Sequence, residues 1–270
     1  MSVWAIAMVK DEIDVIEDVI RHVAAQGVAG IIVADNGSTD GTYEALREMH
    51  HALDCDFTVA PDPEVAYYQS SKMSRLAEEA HAAGAEWIWP FDADEVWYYG
   101  ETQRLADIIE HADGDVTPIL MSRLWHHFPT ALDANAGKGN PFTRMRYRAA
   151  DEAPLGKVIV KWRPGGIIHA GNHGATLPNV PPGAGTCHTD IQVRHFPYRS
   201  PEQFVSKAIN GSRAYAETDL DWSVGQHWRE YGVHYAEGGE ARLREIYREH
   251  FYYSLPSASG LVYDPARLDS

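Results

Sequence analysis

The stretch "WIWPFDADEVWYYG", residues 87–100, sets three carboxylates, Asp92, Asp94 and Glu95, directly after an apolar run that reads as a buried strand. Two aspartates one residue apart at a strand end cannot comfortably both ionise unless a cation or hydrogen-bond donors offset their repulsion. A hard divalent cation does this with one or two carboxylates while it keeps waters and bridges substrate phosphates, the usual protein share of a Mg2+ or Mn2+ site. Acidic triplets are also common in solvated turns, so it is the position after "WIWPF" that favours a site.

A second carboxylate, Asp35, ends the run "IIVAD" and precedes "NGSTDGT". The glycines here match neither GxGxxG nor a Walker loop, which excludes a dinucleotide fingerprint and a P-loop. Two readings of Asp35 stand side by side. It accepts hydrogen bonds from a base or ribose, or it caps its own loop.

Both groups depend on the elements that carry them. "VWAIAMV", "VAGIIVAD", "DFTVAP" and "EWIWPF" read as buried strands. Between them, "KDEIDVIEDVIRHVAAQG", "TYEALREMHHAL" and "SSKMSRLAEEAHAAG" place apolar residues at helical spacing. Ser38, Thr39 or Asp40 can cap the second of these helices. Strands alternating with helices imply a mainly parallel sheet, and ligands of such sheets bind at the carboxyl ends of the strands, where Asp35 and Asp92 both fall. After "LADIIEHADGD", the runs "VTPILMSRLWHHF", "KVIVKW" and "IQVRHF" predict further strands separated by long loops, giving a mixed second half. The chain from Pro201 is helical in pattern, with Ser200 and Pro201 as its start.

The 270 residues carry a formal net charge of −16, which disfavours broad binding to nucleic-acid backbones. No stretch reaches membrane-span length and the N-terminus lacks a basic leader region, so a soluble, cytoplasmic protein is expected. Cys55 and Cys187 form neither a CxxC pair nor a disulfide framework. Residues 178–185 are rich in Gly and Pro and predict a loop.

The order "KDE", "VADNGSTDGT", Gln69 and Lys72 in a helix, then "WIWPFDADE", resembles family 2-like glycosyltransferases of the GT-A fold. The later "HFPYRSPEQFVSKAING" resembles a subset that includes family 92-like members. This resemblance covers residues 3–211. It implies an α/β, Rossmann-like, mainly parallel mixed sheet flanked by helices. It divides the chain into a single catalytic domain at 1–215, with a nucleotide-sugar half at 1–128 and an acceptor half at 129–215, and a helical extension at 216–270. Further implications are a nucleotide-sugar donor, UDP-linked by preference, and Mn2+ or Mg2+. The nucleoside would lie near Lys10, Asp11, Glu12, Asp35 and Lys72, and the metal-diphosphate at Asp92 and Asp94.

A later histidine is expected to complete the metal site, His195 before His173, with His188 third. Lys72, Lys157, Lys161, Arg199 and Lys207 form the pool of cations for the leaving diphosphate, and Arg199 and Lys207 stand in the family-like pattern. An inverting reaction needs a carboxylate base, for which Asp190, Asp151 and Glu152 are candidates. "RMRYR" reads as an anion site or as a strand with Met145 and Tyr147 inward. Trp125, Trp162, Trp222 and Trp228 suit an acceptor, the core or a homodimer seam. The acceptor itself is left open. Two rival readings are a zinc or dinuclear metal hydrolase built on His169, His173, His188 and His195, and a binding module without turnover.

Overall fold

The computed structural model describes residues 2–100, 103–133, 139–254 and 260–268. Its first half alternates as the apolar runs imply: β1 (Val3–Val9), α1 (Ile16–Ala25), β2 (Gly30–Asp35), α2 (Thr42–Glu48), β3 (Asp56–Pro61), α3 (Gln69–Ala82) and β4 (Trp87–Pro90). There follow β5 (Glu95–Tyr98), α4 (Leu105–Glu110), β6 (Ile119–His126), α5 (Pro141–Arg144), β7 (Tyr147–Ala149), β8 (Val158–Lys161), β9 (Ile167–Ile168), β10 (Ala175–Thr176) and β11 (Thr186–His195). Two long helices, α6 (Pro201–Ala216) and α7 (Gln226–His250), precede the last strand, β12 (Leu261–Tyr263).

Eight strands form one sheet in the order β3-β2-β1-β4-β8-β6-β11-β5. Its β3-β2-β1-β4 side is parallel, β8 is antiparallel to both neighbours, β11 is parallel to β6, and β5 returns antiparallel to β11. The expected mixed, mainly parallel sheet flanked by helices is therefore the one observed.

The period-2 pattern of β1 explains the layering. Val3, Ala5, Ala7 and Val9 pack into the core that holds α1, whereas Trp4 and Ile6 join Met73, Leu76, Ala77 and Ala80 of α3 on the other face. On α1 the buried residues Ile16, Val19, Ile20 and Val23 follow a 3–4 spacing, and full burial of each such side chain contributes roughly 1.5–3 kcal/mol. Of the three capping candidates before α2, Asp40 meets the first turn, accepting from Thr42 N at 3.0 Å.

Two elements differ from expectation. "EVWY" is a strand of its own: the chain turns at Asp92–Asp94 and runs back as β5 against β11, with His195 opposite Glu95. The tail is not only helical, because β12 pairs with β7, and Ala266 and Leu268 pack on the main core. Helix α7 starts at Gln226 and is interrupted at Gly239, whose φ of 62° and ψ of −157° break the helix. The boundary expected at 215 falls inside α6. Met145 is fully buried and Tyr147 half-buried, but only Tyr147 and Arg148 of "RMRYR" lie in a strand, β7, while Arg144 ends α5. No described helix is long and apolar enough to cross a membrane.

His22, buried in α1, donates from Nε2 to Trp97 O of β5 at 2.6 Å. Burial disfavours its charged form and lowers its pKa below the usual 6.5. Because the unfolded chain then binds the extra proton first, the stability contribution is complete above about pH 6.5 and is lost as pH falls toward the folded value. The variant His22→Gln keeps the donor and cannot titrate. Its melting temperature should fall less than that of the wild type between pH 7.5 and 5.0; parallel pH dependences would show that His22 does not carry the effect.

Candidate active site

The carboxyl ends of β1, β2 and β4 deliver the acidic groups to one edge. Beyond β1, Lys10 Nζ donates to Asn36 O at 2.7 Å and Gly37 O at 2.9 Å, tying the first two loops together. Asp11 takes a left-handed conformation with φ 53°, which Asp tolerates better than most residues. Its Oδ1 accepts from Thr39 N at 2.7 Å and its Oδ2 from Asn210 Nδ2 of α6 at 2.6 Å.

Asp35 combines features of both readings. Oδ1 accepts from Ser38 N at 3.0 Å, the loop cap, while the buried Oδ2 has no hydrogen-bond partner among the described residues. Lys72 points elsewhere, with Nζ 2.6 Å from Asp62 Oδ2 and 2.6 Å from Glu64 O.

At the end of β4 the acidic turn is compensated from several directions. Lys157 Nζ lies 2.5 Å from Asp92 Oδ2 and 2.8 Å from Glu95 Oε1. Glu95 is fully buried; its Oε2 accepts from Trp97 Nε1 at 2.9 Å and from Asp92 N at 3.2 Å, which braces the turn. Asn172 donates to Asp92 Oδ1 at 3.0 Å from a fully buried position with φ 57°. Gly156 makes room for Lys157, since a Cβ there would stand 1.9 Å from Ser122 O.

Asp94 meets a second set. Lys207 Nζ is 2.5 Å from its Oδ2, His195 Nε2 is 3.4 Å from its Oδ1, and Arg199 Nη1 is 3.9 Å from Oδ2. The buried Arg199 mainly joins other partners: its Nε and Nη2 donate to Asp14 at 2.8 Å, its Nη2 also pairs with Glu12, and its Nη1 donates to Phe196 O at 3.3 Å. It thereby locks the start of α1 to the corner between β11 and α6. Ser200 caps α6 through Gln203 N at 3.1 Å, with Pro201 behind it, and this start aims Lys207 back at Asp94.

These contacts set the charges. Burial opposes ionisation of Asp94, yet Lys207, His195 and Arg199 hold its carboxyl well below the usual carboxylate range. Burial pushes Glu12 and Glu95 up against the pull of their basic partners. Lys157 stays charged, because Asp92 and Glu95 outweigh its desolvation and raise it above the usual lysine value. The connected cluster holds five carboxylates, Glu12, Asp14, Asp92, Asp94 and Glu95, against three cations, Lys157, Arg199 and Lys207.

A cavity of about 290 Å³ opens on this cluster. Lys10, Asp11, Glu12, Asp92, Asp94, His195 and Lys207 line it, and Tyr67, Tyr215 and Trp228 border it from α3's approach, α6 and α7. Tyr67 is held there by Tyr215, with ring centroids 4.9 Å apart. Among the described residues, no three His, Cys, Asp or Glu side chains converge as a self-contained metal set. The pair Asp94 Oδ1 and His195 Nε2 nevertheless suits a hard cation that takes its other ligands from water and phosphate.

Several sequence candidates lie outside the cavity. Asp190 and His188 are exposed on β11, His188 at the edge of its register shift and Asp190 within it, and Asp151 and Glu152 are exposed, the latter 2.9 Å from Arg123. The cavity-lining carboxylates are Asp11, Glu12, Asp92 and Asp94. His173 Nδ1 contacts Gly156 O at 2.7 Å, and exposed His169 contacts Thr176 Oγ1 at 2.9 Å; between them lies a single 3-10 turn, broken at Gly171 with φ 72°, and not an α-helix. The histidine set of the hydrolase reading is thus dispersed. Lys161 pairs with exposed Asp115 at 3.3 Å.

Sequence reasoning did not find Asn172, Asn210 or His126. His126 stands beside His195 in the parallel β6–β11 register, Nδ1 to Nδ1 at 2.9 Å, and burial lowers its pKa to about 3, so it is neutral. Only a register not written in either strand could have paired the two. Lys157 was in the cation pool, and its one distinguishing signal is a lysine at the head of the apolar run "VIV".

Comparison with solved structures gives similar folds at low identity. Residues 1–349 of Staphylococcus aureus TarS in complex with UDP match at 12% identity and a TM-score of 0.43, over 89% of this chain and 73% of that one. The mannosyltransferase PcManGT from Pyrobaculum calidifontis, in complex with GDP-Man and Mn2+, matches at 15% identity and a TM-score of 0.44, over 95% and 77%. Glucosyl-3-phosphoglycerate synthase from Mycobacterium tuberculosis, in complex with Mn2+, UDP and glucosyl-3-phosphoglycerate, matches at 18% and 0.30, over 46% and 44%. No curated relative matches the chain. The family model described as Glycosyl transferase family 2 matches residues 5–158, ending before "HFPYRSPEQFVSKAING", whose likeness to family 92 therefore gains no support from it. That match spans more than half of the chain, begins within β1 and contains the "DNGSTDGT" loop, the acidic turn and Lys157, and by it the protein belongs to glycosyl transferase family 2.

Proposed function

We propose that the protein transfers a sugar from a UDP-linked donor, bound with Mn2+ or Mg2+ in the cavity at Asp94, to an acceptor whose identity is open. The observation that carries this reading is the acidic turn at the carboxyl edge of a parallel sheet, whose Asp92 and Asp94 line a cavity of about 290 Å³.

On this reading Asp94 and His195 hold the cation, and Asp92 acts from beside it. When bound, such an ion offsets the negative charge that develops on the departing diphosphate. Lys207 and Lys10 line the same cavity and are placed to pair with phosphate oxygens. Asp35, the sequence candidate for the base or ribose, does not line this cavity, and its Oδ2 is buried without a partner among the described residues. Tyr67, Tyr215 and Trp228 cover the donor and limit the entry of water, so that positioning and electrostatics do most of the work. His126, being neutral, shares one proton with His195 and can leave His195 Nε2 free as a ligand. A carboxylate base, where the reaction inverts, comes from those that line the cavity rather than from Asp190, Asp151 or Glu152.

Calorimetric titration of UDP, GDP and CDP into metal-stripped protein, with and without Mn2+, tests the reading. UDP should bind with metal and weaken sharply without it, and Asp94→Asn, confirmed as folded by circular dichroism, should abolish the metal dependence. Failure of all three nucleotides to bind folded protein would overturn it.

Lys157 carries a separate expectation. Lys157→Met strands Glu95 and Asp92 without their cation, a loss of about 3–5 kcal/mol, or a melting temperature lower by on the order of 10 °C. The double variant Lys157→Met/Glu95→Gln should recover part of it. An unchanged melting temperature in the single variant would contradict this account of the acidic turn.

A further inference from the structure

Lys207 grips the same carboxylate that the proposed metal needs. Its Nζ is 2.5 Å from Asp94 Oδ2 and 3.6 Å from Glu12 Oε1, and only 26% of its side chain is exposed. The helix that carries it is fixed in place: Asn210, one turn on, donates to Asp11 at 2.6 Å, Tyr67 N donates to Ala214 O at 3.1 Å, and Ser200 caps the start. Lys207 therefore cannot leave Asp94 by a movement of α6 without breaking these contacts. Arg199 offers no relief, since it stands 3.9 Å from the same oxygen and is already committed to Asp14 and Glu12.

A divalent ion held by Asp94 and His195 in the absence of nucleotide would face this ammonium across a site too buried for salt to screen the repulsion. A diphosphate changes the balance. It brings negative charge into the cavity that Lys207 lines, so the ammonium gains a second anionic partner while the ion gains phosphate ligands. We infer that Lys207 makes metal binding conditional on a nucleoside diphosphate: ion and nucleotide bind cooperatively, and the ion alone binds weakly. Linkage requires the coupling to act equally in both directions. This inference rests on the functional reading above, and it differs in sign from a simple phosphate-binding role. Removing a residue that only binds phosphate leaves the affinity for the ion alone unchanged, whereas removing one that guards Asp94 raises it.

The test is titration of Mn2+, followed by electron paramagnetic resonance of the free ion, into wild type, Lys207→Met, Lys207→Gln and Lys207→Arg, each with and without saturating UDP. Circular dichroism confirms that every variant is folded. In Lys207→Met and Lys207→Gln, Mn2+ alone should bind about tenfold tighter than in wild type, and the ratio of its Kd values without and with UDP should shrink by about tenfold. Lys207→Arg, which keeps the charge, should behave as wild type. Unchanged or weaker binding of Mn2+ alone in the neutral variants overturns the inference and leaves the functional reading standing if wild type still takes up Mn2+ with UDP. No uptake of Mn2+ by any folded protein, with UDP, GDP or CDP, overturns both.

Discussion

The pairing of Lys157 with Asp92 and Glu95 is what allows an acidic turn to end a buried strand. Glu95 is fully buried, and a lone carboxylate there would carry a desolvation cost of several kcal/mol. With the ammonium at 2.8 Å and the Trp97 indole at 2.9 Å, the carboxylate is satisfied and in turn braces the backbone of Asp92. Once that turn is fixed, Asp94 points the other way, toward β11 and α6, where Lys207, Arg199 and His195 receive it. The carboxylates of the turn are therefore divided between cations from different parts of the chain: Lys157 serves Asp92 and Glu95, and Lys207 with Arg199 serves Asp94.

Such a cluster is a poor device for stability alone, because apolar side chains of similar volume usually serve as well or better. Its value lies in geometry. Arg199 joins the β1–α1 loop to the β11–α6 corner, Asn210 joins the same loop to α6, and Asn172 fixes the free oxygen of Asp92. The result is a set of acidic groups whose positions are determined before any ligand arrives, which is what electrostatic catalysis requires.

The sequence made the first half of the fold legible because its signals are local. Four apolar runs, three amphipathic helices and turn residues place Asp35 and Asp92 at strand ends without any knowledge of pairing. β5 was hidden because four residues directly after an acidic turn carry too little periodicity to separate from it. β12 was hidden for a similar reason, being three residues that gain a partner only by returning to β7. The site divided in the same way. Asp92, Asp94, His195, Arg199 and Lys207 stood in recognisable strings, whereas Lys157, Asn172 and His126 became partners only through registers between distant strands and a left-handed turn.

The division of the cavity between chain segments has a consequence for how such an enzyme diversifies. Its floor, from Lys10 to the acidic turn, lies in the stretch that matches the family, residues 5–158. Its far wall and roof, His195, Lys207, Asn210, Tyr215 and Trp228, all follow that stretch. On the proposed reading the floor holds the carboxylates that face the donor, while the roof sets what can enter beside it and supplies Lys207 to Asp94. Helix α6 does both at once, because Lys207 and Tyr215 project from one rigid body whose N-cap is tied to Arg199. A change in the α6 sequence would therefore alter shape and charge compensation together.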